Sequence, residues 1–220
     1  MMNILNVEKD NKTNCFIGIL VMEDALNLPS DKLKPVRQEL EDALRSKYIL
    51  KSRNELKALH PMDAYVSYYK KFGYTYHVLP QLESVIKGKA ILSGSPLVEA
   101  MFMAELKNMI LTAGHDLDKI KLPLDLKVST GGENFTALSG KNAAAVSGDI
   151  MIADRQTVIS SILRGPDLRT AITGQTSRVI YTAYAPFGVE EQLVHRHLSD
   201  IETYIRIFSQ KSTTSLKQIF

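Results

Sequence analysis

Cysteine is almost absent from this sequence: Cys15 is the only one among 220 residues. A single thiol excludes an intramolecular disulfide and a cysteine cluster of the kind that holds zinc. Long hydrophobic runs are missing too. No apolar stretch approaches the roughly 18 residues that a bilayer crossing needs, so no membrane partner is expected. Neither sign of charge dominates. Lys and Arg number 27 against 24 Asp and Glu, a net charge of +3. That mild excess permits contact with nucleic acid but lacks the dense patch of a dedicated binder, and no DNA partner is expected. Residues 1–14 are polar and show no signal-peptide core, so a cytoplasmic protein is expected. The sequence has no GxxxxGK[ST], no GxGxxG after a strand, no HExxH and no GxSxG. His195 and His197 lie two apart on a helical stretch, about 200° around its axis, and cannot share a metal. No metal and no cofactor is expected.

What is present is an ordinary globular composition, 45% apolar and 23% charged, with enough apolar residues to build a core. The run "CFIGILVME" (15–23) reads as a buried strand. Residues 30–48 carry Leu33, Val36, Leu40 and Leu44 at helical spacing, with Ser30 or Asp31 as cap and Pro35 early. Residues 54–74 read as two short helices broken before Pro61 and ended by Gly73; "LPQLESVIKGK" adds another. The most apolar segment, 95–114, predicts a central helix with Ser95 as cap, Pro96 first and Gly114 as its end. Its methionines read as core filler.

From residue 122 onward the grammar changes. "LDLKVST", "NFTALSG", "GDIMIAD", "TVISSIL" and "SRVIYTAYA" are short runs separated by turn residues. A last amphipathic helix spans 189–208, with Val194, Leu198, Ile201 and Ile205 in its stripe. His195 and His197 on it, like His60 and His77 earlier, read as surface or partly buried histidines. The polar residues 209–220 are expected to fray. Strand, helices, many strands, helix: this segregation predicts an α+β fold, and the chain shows no internal repeat. Leu106, Ile110, Ile152, Val179, Leu198 and Ile201 are expected in the core. Glu133, in "TGGENF", is expected to serve a turn.

Two polar clusters follow apolar runs and stand out as candidate walls of a site. One is "GHDLDKI", with Gly114, His115, Asp116 and Asp118; the other is Asp154 with Arg164 and Asp167. Their order is "TAGHDLDKI", "LKVSTGGENFTALSGK", "GDIMIAD" and "ISSILRGPDLRTAITGQTSRVIYTAYAP". This order resembles the editing domain of the phenylalanyl-tRNA synthetase beta subunit, its third and fourth modules together. Asp116, Asp118, Lys119, Ile120, Gly132-Glu133, Leu138, Gly140, Ile152-Ala153-Asp154, Gly165, Thr176 and Val179 fall in register with that family's pattern. The resemblance covers roughly residues 55–208; residues 1–54 form an N-terminal strand-helix extension and 209–220 a tail. Thr182 stands where the family's "NVLLE" strand carries a glutamate that reads the tyrosine hydroxyl, and His115 is one position from the family's histidine.

The resemblance implies an α+β domain with a mixed, barrel-like sheet and flanking helices. It also implies a free-standing editing-like protein, a possible aminoacyl-tRNA deacylase serving translation fidelity, with tRNA as partner and a small aminoacyl moiety in a pocket. In that scheme His115 and Asp116 hold the water, and Asp154, Arg164, Gly165 and Thr182 bind substrate. Arg164 would meet the terminal phosphate, and backbone N–H groups near Gly165 the oxyanion. The alternative is a non-catalytic module for RNA or a small ligand. A basic path of Lys119, Lys121, Lys127, Arg164, Arg169 and Arg178 would favour tRNA, and a closed neutral pocket a small ligand.

Overall fold

The computed structural model of the protein describes residues 15–220 together with the backbone of Leu5–Asn6. Most of the polar N-terminal segment therefore lies outside the described residues. In chain order the elements are β1 (Leu5–Asn6), β2 (Cys15–Glu23), α1 (Lys34–Tyr48), α2 (Arg53–Lys57), α3 (Met62–Lys71), α4 (Val78–Ile86) and α5 (Pro96–Asn108). There follow β3 (Thr112–Asp116), β4 (Leu124–Val128), β5 (Asn134–Thr136), β6 (Asn142–Ala144), β7 (Ile150–Ala153), β8 (Val158–Ser161), β9 (Gly165–Pro166) and β10 (Val179–Pro186). α6 (Glu191–Phe208) and β11 (Thr213–Ile219) complete the chain. Among the described residues no helix is long and apolar enough to cross a membrane.

The strands form a five-stranded sheet, β1-β4-β7-β8-β9, a four-stranded sheet, β11-β2-β10-β3, and the small pair β5-β6. β1 runs parallel to β4 and the other pairs are antiparallel. The fold is thus α+β with mixed sheets and flanking helices. The sheets stay open, and none closes into a barrel among the described residues. β2 and β10 are interior strands of the four-stranded sheet, and this is why both are mainly apolar and buried. α5 and α6 cover one of its faces: the Tyr181 hydroxyl donates to the Leu97 carbonyl at 2.9 Å. A Cβ at Gly18 would overlap the Val194 side chain, so the glycine lets α6 seat on β2. On the opposite face Tyr184 hydrogen-bonds Ser160 of β8, joining the two large sheets.

Every expected core residue is buried: Leu106, Ile110, Ile152, Val179, Leu198 and Ile201. Three expectations fail. The central helix stops at Asn108, not at Gly114. Met109 takes a left-handed conformation, φ 57°, and residues 112–116 leave as strand β3 along β10. Pairing with β10 overrides the helical reading of an apolar run that had no periodicity to enforce it. The final residues do not fray: β11 pairs with β2 through a bulge between Thr214 and Leu216. It is polar because an edge strand keeps one face in water. His197 is not a surface residue. It is fully buried, with Nε2 at 2.5 Å from Thr112 Oγ1, and burial pushes its pKa down to about 4.

Candidate functional site

β3 is the edge of the four-stranded sheet, and its five residues are all buried. Its register with β10 sets Ala113 opposite Thr182, Gly114 opposite Tyr181, His115 opposite Ile180 and Asp116 opposite Val179. Side chains alternate along a strand. Thr112, Gly114 and Asp116 therefore share the face towards α5 and α6, and Ala113 and His115 share the other. The two residues expected to hold a water project to opposite faces of one strand.

His115 belongs to a buried polar chain. Its Nδ1 lies 2.7 Å from Thr170 Oγ1, and that hydroxyl donates to Asp167 Oδ1. A hydroxyl with its proton spent on Asp167 can only accept from the ring, so Nδ1 carries the imidazole hydrogen and Nε2 is the bare nitrogen. Nε2 has no partner among the described residues. Burial first, and then the Arg169 guanidinium, push the His115 pKa down to about 3, against the opposing pull of Asp154. The ring is neutral throughout the physiological range.

Asp154 and Asp116 are organisers of turns. Asp154 Oδ1 accepts the N–H groups of Gln156 at 2.9 Å and Thr157 at 3.0 Å; Oδ2 accepts Lys121 N–H and Arg169 Nη2, both at 2.8 Å. Burial raises the Asp154 pKa, but these N–H donors outweigh it and hold the carboxyl below its usual range. Asp116 Oδ1 accepts Asp118 N–H at 3.1 Å, and Oδ2 accepts the Thr176 hydroxyl at 2.7 Å. Arg164 is exposed: its Nε donates to the Ala144 carbonyl at 3.2 Å and its guanidinium lies 5.4 Å from the Tyr74 ring centre. Thr182 is buried, its hydroxyl 3.4 Å from the Ala113 carbonyl. Glu133 sits at its turn, accepting Thr130 N–H at 2.8 Å and Gly131 N–H at 3.1 Å.

Beside the β3 edge lies a cavity of about 200 Å³, walled by Met101, Phe102 and Glu105 of α5, by residues 111–114, by Gly165-Pro166 and by Ile172. Of the six residues expected at a site, only Gly165 lines it; its φ of +73° turns the backbone there in a way that favours glycine. Gly114 keeps the cavity's floor open, since a Cβ there would lie 2.9 Å from Ile172 Cδ1. His115, Asp116, Asp154, Arg164 and Thr182 are not on the wall. A wider groove of about 330 Å³ between α4 and α5 has Lys89 as its only ionisable lining residue.

Glu105 is the group that sequence reasoning passed over. It is 1% exposed. Its Oε1 accepts Thr112 N–H at 2.7 Å, and its Oε2 has no partner among the described residues. Burial pushes its pKa up to about 8, with the Thr112 N–H pulling the other way. The signal was available: a carboxylate in the middle of the apolar stretch "MFMAELKNMI" is costly to bury without a reason.

The expected basic path is largely neutralised. Lys119 lies 3.6 Å from Asp116, Lys127 3.0 Å from Asp125, Arg169 2.8 Å from Asp154 and Arg178 2.7 Å from Asp118.

No protein-family profile and no curated protein matches the chain. Among solved structures it is similar to an N-terminal fragment of the phenylalanyl-tRNA synthetase beta subunit from Pyrococcus horikoshii. The TM-score is 0.50 and the identity 12% over 96% of this chain and 54% of that one. At this identity the likeness is one of fold, and the chain spans about half the length of that fragment.

Proposed function

We propose that this chain is an editing-like module that takes the aminoacyl part of an aminoacyl-tRNA, or of a comparable aminoacyl ester, into the cavity between α5 and β3. The observation that carries the reading is the cavity itself: apolar walls around a single buried carboxyl, in a chain that shares its fold with a synthetase beta-subunit fragment. Pockets of this make-up, mainly apolar with few convergent polar groups, are the usual form of small-molecule sites. An aminoacyl ester is an activated bond, so orienting water and polarising the carbonyl would suffice for hydrolysis. An oxyanion near Gly165 would have to rely on the Gly165 N–H itself, since Pro166 has no N–H and those of Arg164 and Asp167 already donate to Ser161 Oγ at 3.2 Å and to the Ile159 carbonyl at 2.7 Å. His115 and Asp116, on opposite faces of β3, would act as positioning residues through Thr170 and Thr176.

A second reading, binding of a small ligand without hydrolysis, is favoured by a specific observation. Glu105 and His77 on the wall are both shifted by burial, up and down respectively, and Lys119 and Arg169 nearby already face Asp116 and Asp154. One experiment separates the two: deacylation of a panel of aminoacyl-tRNAs by the full chain, run beside binding of the free amino acids. Accelerated release of any one amino acid supports the first reading. Binding without release moves the assignment to the second.

A further inference from the structure

Three buried carboxylates on the helical side of the molecule differ in one respect. Glu41 Oε2 lies 3.4 Å from Arg45 Nη2, and Glu99 Oε1 lies 2.7 Å from Arg37 Nη1. Among the described residues Glu105 has no cation and one oxygen without a partner, and it is the one that lines the cavity. A buried carboxyl left half-satisfied costs stability, and in native structures such groups call for a reason. Other roles do not fit Glu105. Its bond to Thr112 N–H uses Oε1 alone, and a glutamine would make that bond as well.

We infer that Glu105 is the head-group receptor of the cavity and that its ligand carries a cationic nitrogen on an apolar or aromatic stem. This deepens the reading of the cavity as a ligand site and rests on it. The walls support the stem: Phe102, Leu111, Ile172 and Tyr184 are apolar or aromatic surface. The charge argument supports the head. Bringing an ammonium or guanidinium group to Oε2 supplies the counter-charge the pocket lacks, in surroundings where a charge-assisted hydrogen bond is strong.

The titratable groups around Glu105 leave it as the responsive one. Tyr65 and Tyr69 of α3, and Tyr76, lie close enough to feel its charge, and burial raises the pKa of all three. Tyr184 of β10, on the cavity wall, is raised likewise. His77, also on the wall, and His197 of α6, which reaches Thr112, are both lowered by burial and stay neutral near pH 7. Asp200 of α6 is engaged by Lys107 at 2.8 Å and Asn108 at 2.9 Å. A cation therefore binds together with release of the Glu105 proton, and affinity rises with pH until the carboxyl is ionised on its own.

The test uses the full chain and two probes of one shape, 2-phenylethylamine and 2-phenylethanol, titrated calorimetrically into the wild type and Glu105→Gln. The glutamine keeps an acceptor for Thr112 N–H, and a melting curve checks its fold. The amine should bind the wild type and lose about tenfold or more in Glu105→Gln, with the alcohol nearly unchanged. Amine affinity should climb between about pH 6 and pH 8.5, with proton release seen as a buffer-dependent heat. An amine that binds both proteins equally, or an affinity that falls as pH rises through about 8, overturns the assignment of a cation while leaving the cavity as a site for neutral ligands. Failure of both probes to bind overturns the assignment and the cavity reading together.

Discussion

Arg169 spans the turn region that Asp154 organises. Its Nη2 meets Asp154 Oδ2 at 2.8 Å and its Nη1 meets the Lys119 carbonyl at 2.7 Å. Asp154 has no exposed side-chain surface, so this contact is sheltered from water. Arg169→Met should cost about 1–3 kcal/mol in urea unfolding, the usual scale for a buried charge-assisted hydrogen bond. The sign with pH is fixed. Asp154 titrates below its ordinary value in the folded protein, so its contribution is complete above about pH 4 and is lost as pH falls through the folded value. The stability gap between wild type and variant should therefore narrow below about pH 4; a gap that widens there contradicts the pairing.

The link from His115 to Thr170 can be tested by a cycle. Thr170→Val removes the acceptor of the buried Nδ1–H and should cost about 1–3 kcal/mol. In a His115→Leu background the same change should cost measurably less, because the donor it orphans is gone. Equal costs in the two backgrounds would mean that the 2.7 Å contact carries no energy.

Glu133 offers a milder test. Burial would raise its pKa, but hydrogen bonds from Ser129 and from Thr130 outweigh that and hold it down to about 2. The side chain is half-buried at a surface turn, where solvent screens part of these contacts, so Glu133→Gln should cost about 1 kcal/mol or less near pH 7. The difference is present above about pH 4, the ordinary glutamate range, and fades as pH falls towards 2. Thermal melts at several pH values would show it.

The strands from residue 122 onward, the first and last long helices and the core positions were legible because periodicity is a local signal. The end of α5 was not, because "MFMAELKNMILTAG" is apolar on most faces and nothing local marks Met109 as the turning point. What turns the chain there is a long-range partner, β10, and the Glu105 carboxylate that receives Thr112 N–H. The strand β11 was hidden for the opposite reason: an edge strand with one wet face has too few apolar residues to stand out. At the site, order along the chain correctly flagged polar groups after apolar runs. It could not say which way they point. His115 and Asp116 are neighbours in sequence and lie on opposite faces of a strand, and Arg169 holds Asp154, the carboxylate that sequence order had grouped with Arg164.

Leu106 is 3% exposed on the helix that separates the two cavities. Leu106→Ala should destabilise by about 2–5 kcal/mol through lost burial and the void left behind. A loss under about 1 kcal/mol would mean that the neighbouring groove collapses to fill the space, and probe binding in the α5–β3 cavity would report whether that cavity deforms with it.

Arg164 separates an RNA partner from a small ligand. It is exposed, bonded only through Nε to a carbonyl and stacked near Tyr74, and it adjoins Gly165 at the cavity wall. Four of the other basic side chains along this surface already face carboxylates, which leaves Arg164 well placed for a phosphate. In the editing-like reading, Arg164→Ala should weaken tRNA binding several-fold and lower the slope of log affinity against log salt by about one. Its effect on stability should stay within about 0.5 kcal/mol, as for an ordinary surface change. Binding of 2-phenylethylamine should not move, because the guanidinium is not on the cavity wall. A salt slope that is the same in wild type and variant, with tRNA affinity unchanged, removes Arg164 from the nucleic-acid contact. With four of the neighbouring cations already paired, it would shift the balance to a module that reads a small ligand alone.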